Sequence, residues 1–149
     1  MKCIFCGFAK GELKQNANGL PFMPLYETRS TLSFLSISIP RKEDAHIILI
    51  PKNHFESFAE IPERILKDLM KEAKGIVRMI RKSHGGCNIL INDGKSAGQY
   101  IMHCHIHIIP RDKKDGIKIE VWKPRKISAA TFRKLTEKLR RKLKTAGRA

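Results

Sequence analysis

The sequence predicts an α+β domain: a largely antiparallel sheet with one long central helix and a basic helix at the C-terminus. Three observations carry this reading. Short apolar runs bounded by turn residues recur on both sides of residues 62–84. Residues 62–84 themselves carry a single apolar stripe at helical spacing. The last 22 residues repeat that spacing with an almost wholly basic opposite face. The chain has 149 residues, the size of one domain.

The elements follow in order. The chain opens on a Cys3-x-x-Cys6 knuckle, and Asn16-Ala17-Asn18-Gly19 reads as a mobile turn in a long N-terminal segment. Leu32 to Ile39 reads as a strand, with Leu32 and Phe34 on one face before the register shifts. Pro40 to Asp44 is a polar turn, and Ala45 to Ile50 is a second strand closed by Pro51. Ile65, Leu66, Leu69, Met70, Ala73, Ile76, Val77 and Ile80 form the helical stripe, opened by Pro62 and ended by Gly85-Gly86. Cys87 to Ile91 is a third core strand. The polar loop 92–99 leads to a fourth, Tyr100 to Ile109. Ser128 is the candidate N-cap of the final helix, whose Phe132, Leu135, Leu139 and Leu143 share one face.

Composition narrows the function classes. Apolar residues make up 42% and charged residues 30%, which excludes a disordered or fibrous chain. No apolar run approaches the ~18 residues of a membrane span, so no membrane partner is expected. The first residues lack a hydrophobic signal segment, and the expected compartment is the cytoplasm. There, four cysteines point to metal binding or burial before disulfides. The net charge is +16, of which +10 lies between Lys123 and Ala149. That basic tail suits an anionic partner, and a nucleic acid is one candidate.

The stretch His103-Cys104-His105-Ile106-His107-Ile108-Ile109 carries the most chemistry. In an extended strand the three histidines share one face, ~7 Å apart, while Cys104, Ile106 and Ile108 take the other. Three aligned imidazoles suit metal binding or nucleophilic and acid–base work, because imidazole titrates near neutrality. Cys3 and Cys6 supply two thiolates, which need two further ligands to close a tetrahedral site. Cys87 and Cys104 read as small buried apolar residues.

These residues resemble the histidine triad (HIT) family of nucleotide hydrolases and transferases, whose signature alternates histidine and apolar residues as at 103–109. The resemblance extends through Cys3-Ile4-Phe5-Cys6, His46, Ile50-Pro51-Lys52-Asn53-His54, Gly86-Cys87-Asn88, Asn92-Asp93-Gly94, Ala97-Gly98-Gln99 and Val121-Trp122-Lys123. It implies a single HIT-like domain over 1–123 with an N-terminal zinc knuckle. Residues 124–149 are then a basic helix packed on, or extending, that domain. By the resemblance His105 is the nucleophile, forming a covalent nucleotidyl-histidine that water hydrolyses. His107 contacts phosphate and helps protonate the leaving group. Asn92, Gly98 and Gln99 are substrate-binding donors. His46 stands either at the edge of the site or as a buried structural histidine. The zinc-containing members imply Cys3, Cys6, His54 and His103 as ligands of one structural Zn2+, and the family implies a homodimer.

The implied activity is release of a nucleoside 5′-phosphate from a phosphoramidate, dinucleoside polyphosphate or similar compound. The alternatives are a deadenylase of adenylated nucleic-acid ends and a nucleotide- or nucleic-acid-binding module with little turnover. Three departures from the family bear on substrate, one of them the N-terminal segment Lys10 to Pro24, longer than usual. Serine, as Ser36 or Ser38 depending on the alignment, replaces the acidic residue that grips the ribose. Tyr100 follows the glutamine where a small hydroxyl residue is usual, and a phenol there is expected to reshape the phosphate pocket or stack on ligand.

Overall fold

The computed structural model describes residues 3–40, 45–119 and 125–146. The turn residues 41–44 and the motif Val121-Trp122-Lys123 lie outside them. The chain divides into two compact units, Met1–Ile117 and Lys118–Ala149.

The first unit is built on a five-stranded antiparallel sheet: β1 (Pro24–Glu27), β2 (Thr31–Leu35), β3 (Ile47–Pro51), β4 (Gly86–Ile91) and β5 (Ile106–Arg111). The spatial order is β1-β2-β3-β5-β4. A short helix α1 (Ile4–Ala9) precedes the sheet, and the long helix α2 (Glu63–Ile80) joins β3 to β4. The expected α+β class and antiparallel sheet are what the structure has.

Strand β3 explains why Ile47-Ile48-Leu49-Ile50 does not alternate with polar residues. It sits mid-sheet and is covered on both sides, so every position faces apolar neighbours. Ile47 and Leu49 join Ile106, Ile108 and Cys104 beneath Ile65, Leu69, Ala73 and Ile80 of α2. Ile48 and Ile50 join Leu32 and Phe34 against Phe5 and Phe8 of α1. The sheet thus separates a helix-covered face from a face closed by the N-terminus. The buried stripe of α2 is the one its periodicity predicts, although Met70 stays exposed.

Several boundaries differ from expectation, and two elements are additional. The sequence places the histidine strand at 100–109, but β5 begins at Ile106. Pairing with β3 starts at Leu49↔Ile106, and before that point the Cys104 N–H goes to the Phe55 carbonyl instead of a sheet neighbour. The first expected strand ends at Leu35, where the Ser36 N–H donates to the His46 carbonyl at 2.8 Å and the chain turns. Helix α2 stops at Ile80, before the glycine pair, through a tightened turn at Arg81. Strand β1 and helix α1 are additional elements, both too short to leave a periodic signature.

In the second unit, α3 (Ala129–Thr145) begins where the sequence places it. The Ser128 hydroxyl accepts the Thr131 N–H at 3.2 Å as an N-cap. Among the described residues, no helix is long and apolar enough to cross a membrane.

Candidate functional site

His103, His105 and His107 come to the α1 side of the sheet, although only His107 lies within β5. Their alternation holds because Cys104, Ile106 and Ile108 are taken into the α2-side core. Phe5 packs edge-on against both His103 and His105, with ring centroids 5.8 and 5.3 Å away. The His105 and His107 rings are 4.7 Å apart, and His46 lies 5.1 Å from His107. His46 therefore belongs to the histidine group. Nothing in the sequence singled out Phe5; its site role comes from where α1 sits.

Backbone carbonyls fix the state of His105 and His46 directly, and of His107 through His46, because a carbonyl oxygen can only accept a hydrogen bond. His105 Nδ1 donates to the His103 carbonyl at 2.7 Å, which leaves Nε2 of the neutral ring as a free lone pair. His46 Nδ1 donates to the Ser38 carbonyl at 2.6 Å, so its Nε2 accepts. His107 Nδ1 lies 2.9 Å from that Nε2 and must donate to it. His107 Nε2 is then also an unprotonated nitrogen, buried and without a hydrogen-bond partner among the described residues. The result is two unprotonated Nε2 atoms on adjacent rings, one on a would-be nucleophile and one poised to exchange a proton.

Burial holds these rings neutral. It is the main cause that lowers the pKa of His46 and of His105, and it brings His107 down to about 4, with help from His105 and His46. The consequence for stability has a definite sign. Above pH 6.5 His107 is neutral in both folded and unfolded chains, and its contribution is fully present. As pH falls from 6.5 towards 4, the unfolded chain takes up the proton first and that stability is lost. Solvent access discounts the effect to about 1–2 kcal/mol. Urea unfolding at pH 7 and pH 4.5 is expected to show a smaller acid loss in His107→Gln than in the parent chain.

The loop before β5 is shaped by glycines and by Gln99. Gly94 and Gly98 have φ of 89° and 86°, a region that favours glycine. Gln99 is 2% exposed; its Oε1 accepts the Gly94 N–H at 2.7 Å and its Nε2 donates to the Glu56 carbonyl at 2.8 Å. Its carboxamide thus ties the loop to the segment after His54. Asn92 Nδ2 lies 3.7 Å from where a Cβ on Gly98 would stand. Tyr100 does not fill a phosphate pocket in this structure: its side chain is 95% exposed.

A second cluster stands beside the first. Ligating atoms of Cys3, Cys6, His54 and His103 all lie within 4.8 Å of one another. Cys3 Sγ is 3.4 Å from His103 Nδ1, and Cys6 Sγ is 3.3 Å from His54 Nδ1 and 3.6 Å from His103 Nδ1. Tetrahedral zinc with ordinary Zn–S and Zn–N bonds requires sulfur–nitrogen separations of about 3.5 Å. His103 Nε2 donates to the Pro51 carbonyl at 2.9 Å, which turns its Nδ1 lone pair towards the sulfurs. The donor set therefore fits a closed, structural cation site. Cys87 is half-buried and Cys104 buried, both away from this cluster.

Fold and site together define an α+β domain that displays a row of carbonyl-anchored neutral histidines on one face of its sheet. The family model described as "HIT domain" matches residues 21–114, and the chain belongs to that family. An uncharacterised HIT-like protein of Methanocaldococcus jannaschii is 39% identical over 115 residues, 76% of this chain and 82% of that one. An adenosine 5′-monophosphoramidase of Candida albicans is 34% identical over 148 residues, covering 95% and 91% of the two chains. Among solved structures, a histidine triad nucleotide-binding protein of Candida albicans superposes with a TM-score of 0.81 at 31% identity, over 98% of this chain and 100% of that one. A zinc-bound histidine triad family protein of Mycobacterium smegmatis gives 0.68 at 27% identity, over 99% of both chains.

Proposed function

We propose that this chain is a hydrolase that releases a nucleoside 5′-phosphate from a phosphoramidate or related leaving group. The observation that carries the reading is the unprotonated Nε2 of the buried His105 ring, anchored through Nδ1 to the His103 carbonyl. A relative named as an adenosine 5′-monophosphoramidase supports the substrate class.

In the first step His105 Nε2 attacks phosphorus, forming an N–P bond as the bond to the leaving group breaks. An anionic phosphoryl group beside His107 raises its pKa from the depressed value of the free chain, so His107 takes up a proton on binding. That proton passes from His107 Nε2 to the departing group. In the second step water attacks phosphorus and breaks the N–P bond, while neutral His107 accepts the water proton. His46, hydrogen-bonded to His107 Nδ1, steadies the charged ring in both halves. Amides of the loop around Asn92 and Gly98 receive the phosphoryl oxygens. Cys3, Cys6, His54 and His103 hold one zinc ion, which supplies structure by tying the N-terminus to the histidine segment. Two copies associate; β4 is a sheet edge with Ile89 exposed, and an unpaired edge is a template for pairing.

The deciding assay offers the purified chain a fluorogenic adenosine phosphoramidate and, separately, a 5′-adenylated oligonucleotide at low and high salt. Turnover of the small compound is expected. Turnover of the oligonucleotide alone, lost in high salt, supports the deadenylase reading instead. Ribose recognition is tested separately. Ser36 Oγ accepts the Ser38 N–H at 3.1 Å, and a serine cannot make the charge-assisted clasp of a carboxylate. Ser36→Asp is expected to tighten adenosine monophosphate binding about fivefold relative to a ribose-free phosphate, read by calorimetry. No gain there or in Ser38→Asp removes this explanation.

A further inference from the structure

Helix α3 carries a second surface that the hydrolase reading does not use. At 100° per residue, Phe132, Leu135, Leu139 and Leu143 occupy an arc of about 80°. All four are exposed, Phe132 by 64% and Leu143 by 72%. Arg140, Arg133 and Lys144 lie beyond one edge of the arc and Lys138 beyond the other. Between Ala129 and Thr145 there are seven basic residues and one acid, Glu137. The helix is about 26 Å long.

Three kinds of partner suit some part of this face, and charge and apolarity together select one. A second α3 covers the leucines, but the flanking cations of the two copies then face each other with no acids to offset them. A nucleic acid satisfies the cations and leaves four large apolar side chains in water. An anionic bilayer surface takes both: the apolar arc enters the headgroup–acyl boundary while lysines and arginines reach outward to lipid phosphates. We propose that α3 is a membrane-surface helix that adsorbs the protein onto anionic lipid. That no helix among the described residues is long and apolar enough to cross a membrane is compatible with this, because a helix lying in the interface needs no such run. Adsorption also stabilises a helix of this length, which is marginal alone in water.

The experiment is vesicle flotation of the full chain. The probes are vesicles of phosphatidylcholine alone and of phosphatidylcholine with about 30% phosphatidylglycerol. The chain is expected to float only with the anionic vesicles and to be released as salt rises to about 0.5 M. Leu139→Gln with Leu143→Gln keeps good helix formers and all the charge. That pair is expected to weaken vesicle binding at least about tenfold. Arg133→Gln, Lys138→Gln and Lys144→Gln together are expected to weaken it on the order of a hundredfold. Thermal unfolding of each variant checks that the first unit is unchanged. Absence of binding to anionic vesicles overturns the proposal. Binding to a duplex RNA instead, indifferent to the leucine changes, makes the face a nucleic-acid surface. Self-association abolished by the leucine changes, with no vesicle binding, makes it a contact between copies.

Discussion

His105→Ala is expected to lower adenosine phosphoramidate turnover by at least about 10³-fold while leaving nucleotide binding within a fewfold of the parent. The expectation rests on one geometric fact. The His103 carbonyl takes the Nδ1 proton at 2.7 Å, so the lone pair must be on Nε2. Alanine removes that lone pair and nothing in contact replaces it. His107 has an unprotonated Nε2 as well, but its Nδ1 is committed to His46, and it is expected to show a smaller loss of about 10²-fold. Mass spectrometry of reactions quenched in base, where an N–P bond to imidazole survives, distinguishes the roles. The parent chain should carry a nucleotide adduct, His107→Ala should still form one though more slowly, and His105→Ala should carry none. Undiminished turnover in His105→Ala would end the covalent reading.

Removal of zinc is expected to have the largest effect on stability. Protein purified without added metal should contain about one zinc per chain, and Cys6→Ser or chelation should lower the thermal midpoint by about 10 °C. The cluster joins residues a hundred positions apart: Cys3 and Cys6 on the N-terminal helix, His54 after β3 and His103 before β5. Burial and the neighbouring Cys3 both raise the Cys6 thiol, so a thiolate pair there calls for a cation between its members. Releasing α1 would also remove Phe5 from His103 and His105, which would couple a metal at this cluster to the histidine face. Loss of hydrolysis on chelation should therefore track loss of the folded signal. A metal-free chain with an unchanged midpoint would remove zinc from the account.

Much of the architecture was legible before any coordinates. The apolar stripe of α2, the uninterrupted Ile47–Ile50 run and the alternation through 103–109 are local patterns, and each became the element or face its spacing describes. Elements without a local pattern were not legible. Strand β1 is four exposed residues, opens on Pro24, and exists because β2 supplies its hydrogen bonds. Helix α1 is six residues long and is held by Phe5 and Phe8 packing on Phe34.

The candidate site divides along the same line. Residue types and spacing offered three aligned imidazoles and a pair of thiolates, and the resemblance to the HIT family assigned His46, His105 and His107 to nucleotide chemistry and His54 and His103 to a metal with Cys3 and Cys6. Which nitrogen of each ring is free is a different kind of fact. It was decided by the carbonyls of Ser38, Pro51 and His103, which bear no side-chain signature and take their positions only when β3, β5 and the loops around them are assembled. The sequence alone thus determined the fold class, the sheet faces and the chemical cast. The tertiary structure decided protonation and partnership, because a backbone acceptor can select a tautomer only from a fixed place in space.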